Sequence, residues 1–197
     1  MTEKVKELKK FSKTIKILYV EDDKESRIQT KKMLDNFFPN TTLATNGKEG
    51  LEEYLHFYEK NSSYYDLVIS DISMPIMDGL EMSKEIFAIH SLQPIIVLTA
   101  HNEIEFLANA INIGISGFIT KPIEIQNFIN ILYKTIIAIH DRKFVLAHSH
   151  QIDNLIYENE KECEKIMQKN LQLEKSLQDI KDYNNSKNST PSLLSIS

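Results

Sequence analysis

The sequence predicts a doubly wound parallel α/β sheet followed by a long α-helical coiled coil. Three observations carry that expectation. Short apolar runs alternate with amphipathic stretches of helical length over residues 14–140. Four of the runs end in polar or charged residues: Val20 leads into Glu21-Asp22-Asp23, Ile69 into Ser70-Asp71, Leu98 into Thr99-Ala100 and Ile119 into Thr120-Lys121. In an open parallel sheet that carboxyl edge is where ligands bind. Finally, no Gly or Pro occurs between Pro122 and Pro191, where apolar residues recur at coiled-coil spacing.

Residues 1–13 alternate Lys and Glu around Val5, Leu8 and Phe11, and read as a solvated tail or a short leading helix. Ile15 to Val20 is an apolar run, as expected for a strand covered on both faces. Lys24 to Phe38 reads as a helix with Ile28, Met33, Leu34 and Phe37 inward, stopped by Pro39. Thr41 to Ala44 is the second strand, and Asn46 caps a helix over 47–59. The pattern continues with strand 66–70, helix 79–90, strand 94–99, helix 102–113, strand 116–120 and a fifth helix from Glu124. Ile125, Ile129, Leu132, Ile136 and Ile139 give that last helix one apolar face.

Bulk properties narrow the class. The chain has 197 residues, 42% hydrophobic and 26% charged, which suits one ordinary domain with an extension. A net charge of −5 argues against a nucleic-acid polyanion as partner. The single cysteine, Cys163, excludes an intrachain disulfide and fits a reducing compartment. No apolar stretch approaches the roughly 20 residues that span a bilayer. The expectation is a soluble, cytoplasmic protein without membrane insertion.

The acidic residues after the first and third runs, the Met74-Pro75 turn with Gly79, Thr99-Ala100 and Lys121-Pro122 together resemble the receiver domain of two-component response regulators, over roughly residues 14–140. The resemblance implies a flavodoxin-like (βα)5 sheet in the order 2-1-3-4-5, which places the first and third strands side by side. It also implies a Mg²⁺ site made by Glu21, Asp22, Asp71 and the backbone carbonyl of Ser73, since Mg²⁺ takes hard oxygen ligands. Asp71 would be the phosphoacceptor, attacking as a carboxylate to give an acyl phosphate. Lys121, before a Lys-Pro bond that is often cis in the family, would pair with that carboxylate. Thr99 would donate its hydroxyl to a phosphoryl oxygen, with Ala100 leaving it room.

Each of these residues also has a plainer reading. Acidic residues suit a helix start, and Asp23 fits that role. A strand Thr is ordinary packing. Phe118 matches the family's aromatic switch position and equally reads as plain core. Ser73 and His101 match positions that tune hydrolysis of the acyl phosphate, although an exposed His101 needs no role. His140, His148 and His150 are too irregularly spaced for a zinc site.

Beyond 140 a second apolar phase begins. Ile152, Ile166, Leu173 and Ile180 share one heptad position with Asn159, while Ile156, Cys163 and Leu177 share the other with Asn170. That predicts a coiled-coil extension over 141–184, dimeric through 145–183, with a kink, stutter or separate helix near 141–150. Residues 185–197 read as a disordered tail. The resemblance implies a sensor histidine kinase or phosphotransfer protein as partner. Residues 141–197 are too short for a winged-helix DNA reader and their charges nearly balance, so the expected output is through protein contacts rather than DNA. No nucleotide-binding or cyclase motif points to a separate catalytic domain. An alternative is the receiver-and-linker part of a larger histidine kinase or nucleotide cyclase. An Asp-nucleophile phosphatase of the haloacid-dehalogenase type fits poorly, because Ser73 stands where a second Asp is wanted.

Overall fold

The computed structural model describes residues 3–100, 111 and 113–188, with side chains to 185. Its elements are α1 (Glu3–Phe11), β1 (Ile17–Val20), α2 (Lys24–Leu34), β2 (Thr41–Ala44), α3 (Gly47–Asn61), β3 (Leu67–Asp71), α4 (Gly79–Ile89), β4 (Ile95–Ala100), β5 (Gly117–Lys121) and α5 (Ile125–Asn188). The helix expected over 102–113 lies almost wholly outside the described residues. The five strands are all parallel, in the order β2-β1-β3-β4-β5. This is the flavodoxin-like order.

The central strands are mostly apolar because helices cover both faces, and parity along each strand decides which face a residue serves. Ile17, Tyr19, Leu67, Ile69, Ile96 and Leu98 pack with Leu34, Phe128, Leu132 and Ile136 from α2 and α5. Leu18, Val20, Val68, Ile95 and Val97 pack with Tyr54, Leu80, Met82 and Ile86 from α3 and α4. Three helix starts carry side-chain caps. Asp23 accepts from Ser26 N, Asn46 from Glu49 N and Asp78 from Glu81 N, so Asp23 does serve α2.

Residues 3–11 form a helix rather than a solvated tail. Leu8 is fully buried in the α2/α5 side of the core, Tyr133 donates to Glu7 Oε2 at 2.6 Å, and Lys4 donates to Asn130 Oδ1 at 3.1 Å. Burying one leucine contributes about 1.5–3 kcal/mol, which anchors a helix too short to persist alone.

Two inward assignments and one helix end need correction. Ile28 is 46% exposed; it stands six residues, about 120°, round α2 from Leu34, off the inward face. Ile125 is 60% exposed because it opens α5 and lines a groove with Met33 and Pro122, leaving Phe128 as the first inward residue. The first of these helices stops at Leu34, not Phe38: the amides of Phe37 and Phe38 both return to Leu34 O at 2.8 Å, and the turn buries Phe38.

The chain divides into two compact units, Met1–Lys143 and Phe144–Ser197. Helical structure is continuous through 141–150, so no separate helix starts there. At the end of the first unit Lys143 Nζ lies 2.5 Å from Asp66 Oδ1, and Arg142 donates to Leu92 O at 2.8 Å. In the second unit the apolar residues of the extension stand exposed along the helix. Among the described residues no helix is long and apolar enough to cross a membrane.

Candidate functional site

Parallel register brings the carboxyl ends of β1 and β3 level, with Val20 beside Ser70, so the residues that follow meet at the edge of the sheet. One carboxylate oxygen from each of Glu21, Asp22 and Asp71 falls within 4.8 Å of the others. Glu21 is fully buried, Asp71 is 7% exposed and Asp22 faces solvent. Two unit charges about 4 Å apart repel by roughly 4 kcal/mol at an effective dielectric near 20, so such a cluster calls for cations.

One cation comes from β5. Lys121 Nζ stands 2.9 Å from Asp71 Oδ2 and donates to Glu21 Oε2 at 2.9 Å and Oε1 at 3.2 Å. The Lys121–Pro122 peptide is cis. Burial works against the Lys121 charge, but hydrogen bonds to Glu21 and Asp71 outweigh it and raise its pKa. Burial raises the Glu21 pKa, with the Asp71 charge adding to the rise and Lys121 opposing it.

The loop after β3 holds Asp71 in place. Ile72 N donates to Asp71 Oδ1 at 2.9 Å, and Ser70 Oγ to the Asp71 carbonyl at 2.8 Å. Gly79 crosses that carbonyl so closely that a Cβ would sit 2.0 Å from it, while Gly79 N donates to Ile72 O at 2.8 Å. Close approach, rather than unusual backbone freedom, is therefore what requires glycine here. The positive φ falls instead on Ile76, at 74°, between Pro75 O and Met77 N, which are joined at 2.9 Å. A β-branched residue in a three-residue turn of that hand is strained. Ile76 is also 81% exposed.

Thr99, the last residue but one of β4, is almost fully buried, and its hydroxyl donates to the Ala100 carbonyl at 3.1 Å. Ala100 is half-buried beside Lys121 in register. Ser73 has an exposed side chain on the loop. Phe118 is 42% exposed on β5, which overturns its reading as plain core. His101 lies outside the described residues.

Sequence reading overlooked Tyr19 and Arg27. Tyr19 is fully buried and donates to Glu21 Oε2 at 3.2 Å, and burial raises its own pKa strongly. Its position two residues before Glu21 on a strand was the available signal, since alternate residues share a face. Arg27 Nη1 donates to the carbonyls of Glu21 at 2.6 Å and Asp22 at 2.9 Å, fixing the acidic turn from the first helical turn of α2.

This edge of paired acids, one lysine and one buried threonine has its counterpart in known proteins. The description "Response regulator receiver domain" matches residues 17–133. The chain belongs to that family. As a receiver of two-component phosphorelay signalling, it is 30% identical over 139 residues to the transcriptional regulatory protein ZraR of Escherichia coli, covering 71% of this chain and 28% of that one. It is 33% identical over 108 residues to the chemotaxis protein CheY of Halobacterium salinarum, covering 55% of this chain and 85% of CheY. Among solved structures, a receiver domain from Clostridium thermocellum superposes with a TM-score of 0.56 at 26% identity, covering 67% of this chain and 98% of that one. The N-terminal domain of a Wolinella succinogenes protein gives 0.55 at 32% identity, covering 68% and 99%. The chain thus spans little more than a quarter of ZraR and most of CheY. Receivers are signalling phosphoacceptor domains, and no separate catalytic domain is evident among the described residues.

Proposed function

We propose that this receiver accepts a phosphoryl group on Asp71 from a histidine kinase or phosphotransfer protein. The observation that carries the reading is the ammonium of Lys121 held 2.9 Å from Asp71 Oδ2, at the sheet edge where two further acids converge. A carboxylate with a fixed cation beside it stays ionised and oriented for attack.

Glu21, Asp22, Asp71 and the Ser73 carbonyl would hold Mg²⁺, and the all-oxygen donor set suits it. Bound there, the ion supplies charge neutralisation to the incoming phosphoryl oxygens. Asp71 Oδ bonds to phosphorus as the P–N bond of the donor phosphohistidine breaks, and the imidazole leaves with its electron pair. Lys121 follows the new charge onto the phosphate. Thr99 turns its hydroxyl from Ala100 O to a phosphoryl oxygen, Ala100 leaves it space, and Phe118 moves inward behind it. Ser73 and His101 govern how fast water removes the group.

The domain from 14 to 140 is the switch, and residues 141–184 are its coiled-coil extension, pairing two copies through 145–183 in the cytoplasm. The extension's nearly balanced charges suit a protein contact rather than DNA. The test is intact-mass analysis after incubation with phosphoramidate and Mg²⁺. One added phosphoryl group on the wild type, and none on Asp71→Asn, is expected. A His101→Ala variant with an unchanged phosphate lifetime would remove the role given to His101.

A further inference from the structure

The stripe of the second unit defines its own heptads. Spacings of four from Ile152 to Ile156 and three from Ile156 to Asn159 place Ile156, Cys163, Asn170 and Leu177 at a, and Ile152, Asn159, Ile166, Leu173 and Ile180 at d. The apolar members are 51–60% exposed, an unpartnered seam about 40 Å long from Ile152 to Ile180. We infer that the occupant is a second copy lying parallel and in register. This rests on the homodimer proposed above and adds its orientation.

Charge complementarity carries the choice. In a parallel pair each g residue faces the partner's e residue five positions on. Lys169 then faces the partner's Glu174, twice by symmetry, while Leu155 faces Glu160, Glu162 faces Met167 and Ser176 faces Lys181. No like charges meet. The antiparallel register that best matches the polar layers sets Asn159 against Asn170 and Glu162 against Lys169. It also sets Asp153 against Glu174 twice, so attraction and repulsion cancel. Shifting that register by one heptad puts Asn170 against Ile166 or Ile152, burying an amide without a partner.

In the parallel register each asparagine meets its own copy, and the two amides can pair donor to acceptor. Isoleucine at d by itself favours three or four strands, whereas asparagine at a selects register and strand number. Asn170 is therefore the residue that holds the assembly to two.

The test uses the full chain in a Cys163→Ser background, carrying either Leu177→Cys or Ile152→Cys, under mild oxidation. Parallel in-register pairing brings equivalent seam residues within disulfide reach, with Cα atoms ~4.4–6.8 Å apart. Each variant alone then crosslinks to a dimer in high yield. In the antiparallel register each residue lies ~37 Å from its copy, at 1.5 Å per residue, and neither crosslinks alone. There Ile152 faces Leu177, so only a mixture of the two variants would crosslink, which overturns the orientation and leaves the dimer standing. Light scattering on the same samples separates the readings. A monomer would sink the homodimer itself, and a trimer or tetramer would overturn the role given to Asn170.

Discussion

Asp71 and Gly79 are locked together through their backbones: a Cβ on Gly79 would stand 2.0 Å from the Asp71 carbonyl oxygen. The proposed phosphoacceptor is thereby fixed by a residue that has no side chain. Because the obstacle is backbone, not a flexible side chain, the loop must move to admit even a methyl group.

Gly79→Ala is therefore expected to destabilise the receiver by at least about 1–3 kcal/mol, the usual cost of overpacking, and to slow phosphorylation of Asp71 as the loop shifts. Urea denaturation measures the first and phosphoramidate kinetics the second. A variant of wild-type stability and rate would mean the loop relaxes freely.

Among the described residues, Lys121 is the cation that pairs with the buried Glu21, at 2.9 Å. Lys121→Ala leaves that carboxylate without its cation, and breaking a buried pair from one side costs about 3–5 kcal/mol. Because Lys121 is 26% exposed, the loss should fall at the lower end. Adding Mg²⁺ should recover part of it, visible as a larger Mg²⁺-dependent rise in Tm than the wild type shows.

The leading helix is part of the core rather than an appendage. Leu8→Ala removes a fully buried side chain and should cost about 2–5 kcal/mol. Deleting residues 1–11 should cost at least as much. Equal stability with and without the segment would show that α1 does not dock.

Acid should weaken the α3/α4 side of the molecule through His90. Burial lowers its pKa, Gln93 opposes that and the Arg142 charge adds to it, while the ring stacks on Tyr64 and faces Tyr54 Oη at 3.3 Å. A base whose folded pKa is depressed binds its proton more readily when unfolded. The contribution of neutral His90 is thus present above the unfolded value of 6.5 and is lost as pH falls through it. His90→Gln should flatten the stability profile between about pH 7 and 5 relative to the wild type.

The strands and the acidic edge were legible because their signals are local. An apolar run ending in Glu21-Asp22, and another ending in Asp71, need only a parallel sheet to meet. Docking of α1 was not legible, since Val5, Leu8 and Phe11 suit a helix whether or not α2 and α5 lie beneath it. The part played by Tyr19 was hidden because a buried aromatic on a strand reads as core. The two-residue spacing that sets it on the same face as Glu21 does not by itself show the hydroxyl reaching that carboxylate. Phe118 misled in the other direction: its strand predicts burial, yet the residue is 42% exposed. Gly79 drew notice as a turn residue, but the carbonyl that excludes a side chain belongs to Asp71, eight residues earlier.

The most direct test of the account is the site of phosphorylation. Full-length chain is incubated with phosphoramidate and Mg²⁺, trapped by borohydride reduction of the acyl phosphate, and the modified peptide sequenced by mass spectrometry. The account predicts conversion of Asp71 alone, abolished by chelating Mg²⁺ and by Asp71→Asn. Modification of another residue, or labelling that persists in Asp71→Asn, would contradict it.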